Sequence, residues 1–138
     1  MKRALACVLL ACAKQPPPPR TIDCATIIPP ELQRRFFRGP LKQTADGTMT
    51  SCADERSAVR FECGPTPMSD QRAEEVIAAI AELLHAERVD FERGAVRGDR
   101  SFMFLDRDMP SCKVSIDLAE PNVEIDQLAK QIAARLKP

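Results

Sequence analysis

Ser101-Phe102-Met103-Phe104-Leu105-Asp106 and Cys112-Lys113-Val114-Ser115-Ile116-Asp117-Leu118 decide the fold. In the second stretch Cys112, Val114, Ile116 and Leu118 point one way while Lys113, Ser115 and Asp117 point the other, so one face is core and one is wet. Phe102 to Leu105 is apolar on both faces, which calls for a central strand covered on each side by helices or a second layer. Arg107-Asp108-Met109-Pro110 joins the two stretches as a hairpin.

Working outward, Leu41 to Thr44, Thr48 to Ala53 and Val59 to Cys63 are further short strands, separated by Ala45-Asp46-Gly47 and by Asp54-Glu55-Arg56-Ser57. Asp-Gly marks a tight turn because glycine accepts positive φ without steric cost. A turn closing on Asp54 to Ser57 sets Cys52 opposite Val59 and puts Cys52, Val59, Phe61 and Cys63 on one buried side. Val89 to Val96 reads as one more strand or an extended loop, with Gly94 and Gly98 as turns. Ser69 caps a helix carrying Ala73, Val76, Ile77, Ile80 and Leu84 at three- and four-residue intervals. A last helix follows Asn122, its expected cap, with Ile125, Leu128, Ala129, Ile132 and Leu136 as the apolar stripe. An opening helix starts at Pro29-Pro30, where a missing amide hydrogen is tolerated, and ends before Gly39. Ile28, Leu32 and Phe36 line one side of it. Arg34, Arg35 and Arg38 line the other, a solvated face in the ordinary reading and a contact with lipid phosphates in the sharper one. The pattern predicts an α+β fold, a largely antiparallel sheet of five to six strands packed with about three helices.

The chemistry in the sequence is sparse. His85 is the only histidine, there is no Gly-x-Ser-x-Gly elbow, and no glycine-rich phosphate loop occurs. A nucleophile normally needs a base beside it and a third group to orient that base. Asp106 and Asp108 flank a turn, but calcium needs more oxygen ligands at fixed spacing. No Cys-x-x-Cys occurs, so a zinc site has little support, and no cofactor is expected. Trp and Tyr are both absent, which weakens carbohydrate stacking and aromatic hot spots alike.

The amino terminus sets the surroundings. Two cations, Lys2 and Arg3, precede a short apolar run to Ala11, the layout of a secretory signal and too short to span a bilayer. Leu9-Leu10-Ala11-Cys12 resembles the bacterial lipobox. The resemblance implies cleavage after residue 11 and acylation of Cys12 with fatty chains of the palmitate kind, each buried methylene contributing about 0.8 kcal/mol to membrane anchoring. Cys7 after Ala4-Leu5-Ala6 is a poorer candidate, because it leaves only three apolar residues before it. Residues 12–22 then form a tether in which Pro16 to Pro19 favour an extended conformation of ~3.1 Å per residue. Residues 23–138 form a single domain. The 20 Lys and Arg of the chain less Lys2 and Arg3 leave 18 against 20 Asp and Glu, a balance that argues against a nucleic-acid partner. With Cys7 removed and Cys12 acylated, Cys24, Cys52, Cys63 and Cys112 remain. In an exported chain these read as two disulfides with three alternative pairings.

Asp23-Cys24-Ala25-Thr26-Ile27-Ile28-Pro29-Pro30-Glu31-Leu32, a cysteine on a following strand (Cys52) and a terminal amphipathic helix resemble the small bacterial lipoproteins that begin with Asp-Cys or Asp-Pro-Cys and adopt a PsbP-like sandwich. The chain departs from them in lacking the strand aromatic after Cys52 and in adding Cys63 and Cys112. The resemblance implies pairing of Cys24 with Cys52, leaving Cys63 with Cys112. It supplies a shape and no reaction. The expected role is a non-catalytic interaction module, membrane-bound through its lipid and partnered by another envelope protein. Ala13 lacks the aspartate that resembles an inner-membrane retention signal, so the outer membrane is preferred. The alternatives are a small-ligand or lipid carrier, with its pocket between sheet and helices at Phe102 to Leu105, and a small hydrolase using His85 with a carboxylate.

Overall fold

A computed structural model describes residues 21–137. The expectations placed on Cys7, Cys12 and the proline tether fall outside these residues. The chain opens with α1 (Cys24–Ile27) and α2 (Pro30–Phe36) and continues with β1 (Lys42–Asp46), β2 (Met49–Ala53) and β3 (Ala58–Cys63). Helix α3 (Asp70–Leu84), strands β4 (Glu87–Val89), β5 (Ala95–Arg97), β6 (Ser101–Leu105) and β7 (Cys112–Asp117), and helix α4 (Ile125–Arg135) complete it. All pairings are antiparallel, in the order β1-β2-β3-β7-β6-β5-β4. Helix α3 carries the chain from the central β3 to the far edge, and the β4-to-β7 meander returns to lie beside β3.

The α+β class stands, but the sheet has seven strands rather than five to six, and the described residues hold four helices rather than three. Val89 to Val96 is not one strand. Positive φ at Glu92 (50°) and Gly94 (136°) reverses the chain, so that Glu87–Val89 pairs with Ala95–Arg97. The added helix is the single turn α1, whose Asp23 cap accepts a hydrogen bond from the Ala25 amide. The first hairpin is tighter than Ala45-Asp46-Gly47 implied. Asp46 pairs with Met49, leaving Gly47 (φ 59°) and Thr48 as a two-residue turn. Asn122 does not cap α4. Its side chain accepts from the Glu124 amide at 2.8 Å, and Glu124 occupies the cap without a side-chain bond.

Two cores flank the sheet. On one face Val59, Phe61, Phe102, Phe104, Val114 and Ile116 pack against Leu128, Ala129, Ile132 and Leu136 of α4 and against Ile28, Leu32 and Phe36 at the opening of the domain. On the other, Val96, Met103 and Leu105 meet Ala73 and Ile77 of α3. Strand β6 therefore feeds both cores, as its two apolar faces demand. Of the stripe expected on α3, only Ala73 and Ile77 are buried, and Leu84 is 56 % exposed. A helix of this length runs about 22 Å, whereas β4 and β5 beneath it are about 10 Å each, so the platform is too small for the whole stripe. Lys42, Thr44, Ser51, Arg60, Lys113 and Ser115, on that same face of β1, β2, β3 and β7, remain uncovered by a helix.

Two disulfides fasten this arrangement, Cys24–Cys52 and Cys63–Cys112. The first ties α1 to β2. The second links directly opposed residues of β3 and β7, the seam between the two strand groups.

Candidate binding groove

The turn between β2 and β3 is built around one carboxylate. Asp54 Oδ1 accepts from the Arg56 and Ser57 amides at 2.9 and 2.7 Å, and the Asp54 amide donates to the Ser57 carbonyl at 3.0 Å. Its Oδ2 accepts from the Arg38 amide at 3.0 Å, which fixes the loop after α2 against this turn. Burial pushes the Asp54 carboxyl up, but the amides of Arg56, Ser57, Arg38 and Gly39 favour its charged form and together hold the pKa below the usual 3.8. Ser57, buried beside it, accepts from the Ala119 amide at 2.9 Å and so joins the turn to the segment before α4.

Between the two loops lies a groove of about 690 Å³, walled by Arg38, Gly39 and Pro40 on one side and Asp54, Glu55 and Arg56 on the other. Lys42 and Thr44 of β1 and Ala53 of β2 complete its lining. A second hollow of about 320 Å³ shares the Arg38–Pro40 loop and adds Arg34 and Phe37. Arg38 is paired with Glu120, whereas Arg34, Lys42 and Arg56 make no ion pair among the described residues. Asp54 and Glu55 bring two carboxylates to the same lining as Arg38, Lys42 and Arg56. The groove thus combines small apolar side chains, Pro40 and Ala53, with charges of both signs.

The opening segment is held close by. The Gln43 side chain accepts from the Cys24 amide at 2.9 Å and donates to the Ile22 carbonyl at 2.9 Å, copying a strand-to-strand bond pair. With Cys24–Cys52, this fixes the point at which residues 12–22 join the domain to β1 and β2.

Of the side chains singled out in the sequence, Cys24, Cys52, Cys63 and Cys112 are brought together as two bonds. Arg34 and Arg38 reach the grooves, and Arg35 turns away to Glu124 at 2.9 Å and stacks over Phe36. His85 is the exposed carboxyl-terminal cap of α3, in a left-handed conformation, with no side-chain hydrogen bond or ion pair among the described residues. Asp106 is buried and accepts from the Met109 amide at 2.5 Å, while Asp108 faces solvent. No group of three or more His, Cys, Asp or Glu among the described residues is placed to hold a metal ion. The sheet–helix interface at Phe102 to Leu105 is packed with side chains; the larger groove lies at the β1–β2 edge, the second beside α2, and a further hollow of about 330 Å³ lies between α3 and the β4–β5 hairpin, lined by Glu74, Ile77, Val89 and Gly94. The part that Asp54 plays was not legible, since its reach to Arg38 spans 16 residues and two strands.

Comparison of the chain with protein families, with curated proteins and with solved structures finds no match.

Proposed function

We propose that this chain is a lipid-anchored protein of the bacterial cell envelope, acylated at Cys12 and set on the outer membrane, whose domain acts as a non-catalytic binding module for another envelope protein. A PsbP-like relationship belongs to the same proposal and rests on the Asp23 to Leu32 opening, the strand cysteine Cys52 and the terminal amphipathic helix. The observation that carries the binding role is the groove between Arg38–Pro40 and Asp54–Arg56, open to solvent and lined by charges of both signs, of which Lys42 and Arg56 make no ion pair among the described residues. Its volume also falls in the range of small-molecule sites, which favours a ligand carrier as the second reading.

One experiment addresses anchor and groove together. The full chain, purified from its own membranes, carries the mass of a diacyl or triacyl Cys12 start and co-purifies with a defined envelope protein. Ala53→Arg fills the groove and abolishes the co-purification without altering that mass. An unmodified start removes the anchor. Identical partners for both chains remove the groove as the binding site.

A further inference from the structure

We propose that β1 is a docking edge for a second copy of this chain, the two strands pairing antiparallel about a two-fold axis at Thr44 and joining two seven-stranded sheets into one. Three independent features of β1 point to this pairing.

The first is backbone parity. A two-residue hairpin closes on a hydrogen-bonded pair, here Asp46 with Met49. The antiparallel alternation then turns the backbone groups of Lys42, Thr44 and Asp46 toward β2 and those of Gln43 and Ala45 outward. Among the described residues, nothing hydrogen-bonds those outward groups. With the axis at Thr44, Gln43 of one copy stands opposite Ala45 of the other, so outward-pointing groups meet outward-pointing groups and both ladders close.

The second is side-chain complementarity. Lys42-Gln43-Thr44-Ala45-Asp46 read against itself in reverse sets each Lys42 opposite Asp46 of the second copy, and Thr44 opposite Thr44. Opposite charges and threonine pairs are both favourable across strands. Within one chain the cross-strand partners of these charges are neutral, Ala53 for Lys42 and Met49 for Asp46. Neither charge makes an ion pair among the described residues. Lysine on an edge strand usually deters pairing; here the deterrent for other strands becomes the match for an identical one.

The third is access. All five β1 residues are exposed, whereas the opposite edge, β4, offers three residues and is flanked by α3. A five-residue edge pair lies below the ~1,200 Å² of a standard interface, so the association is weak and reversible.

Cysteine cross-linking of the full-length chain tests this. In a non-hydrogen-bonded antiparallel pair the Cα atoms stand ~4.5 Å apart, within disulfide reach. Thr44→Cys therefore yields an inter-chain disulfide under mild oxidation, while Thr48→Cys, roughly 25 Å from its counterpart, does not. Adding Lys42→Asp to Thr44→Cys slows the cross-link roughly tenfold, by turning two attractive pairs repulsive. Adding Asp46→Lys as well restores it, and circular dichroism of each variant stays that of the parent. The proposal is overturned if Thr44→Cys links no faster than Thr48→Cys, if charge reversal leaves the rate unchanged, or if the double reversal fails to recover it.

Discussion

Asp54 shows how one side chain shapes a groove by holding its two walls, the loop after α2 and the β2–β3 turn. Its lowered pKa means that the folded state favours the charged carboxylate, so its stabilisation is complete above the ordinary value of 3.8 and is lost as pH falls through the lower folded value. Asp54→Ala leaves the Arg38, Arg56 and Ser57 amides without their acceptor and costs roughly 1–2 kcal/mol at neutral pH. The penalty, read as the shift in urea midpoint between parent and variant, shrinks below that pH window. A penalty equal at pH 7 and pH 2 would show that the carboxylate charge does not hold the turn. Gly94 is a second residue whose role exceeds its sequence signal. It reads as a turn, yet a Cβ there would stand 2.8 Å from Ile77 Cγ1, so this glycine also lets α3 settle on the sheet.

At the scale of elements, the two long helices contribute unequally. Ile125, Leu128, Ala129, Ile132 and Leu136 are all buried on α4, whereas Leu83 and Leu84 of α3 are 77 % and 56 % exposed. Ile132→Ala opens a cavity and costs about 2–5 kcal/mol, while Leu83→Ala stays within about 0.5 kcal/mol; chemical denaturation of the two variants measures both. Equal losses would mean that the end of α3 is covered after all. Periodicity identified each helix correctly, because a 3.6-residue repeat is local. It overestimated the buried stripe of α3, because cover depends on the width of the sheet beneath. The alternation that fixed β7 and the two-faced β6 was equally local, but β4 and β5 are three residues each, too short for a period-two pattern to register.

Across the whole molecule, the disulfides link parts that lie far apart along the chain. Cys24–Cys52 closes a separation of 28 residues and Cys63–Cys112 one of 49. Replacing Cys24 and Cys52 together by serine costs ~2–4 kcal/mol, and it frees the Ile22–Cys24 segment, seen as faster exchange of the amide at position 24, which donates to the Gln43 side chain, while the β3–β7 seam stays protected. Loss of protection throughout the sheet would show instead that the opening segment is required for the entire fold. By itself the sequence determined the α+β class, the interior place of β6, the three long-patterned helices and the membership of Cys24, Cys52, Cys63 and Cys112 in two bonds, since each follows from short-range periodicity or from the even number of cysteines after Cys12. Only the tertiary structure decided the strand order, the return of the last meander to β3, the groove that Asp54 closes against Arg38, and the β1 edge left open. Those depend on contacts between residues far apart along the chain, where packing of the two cores, not local pattern, selects one arrangement.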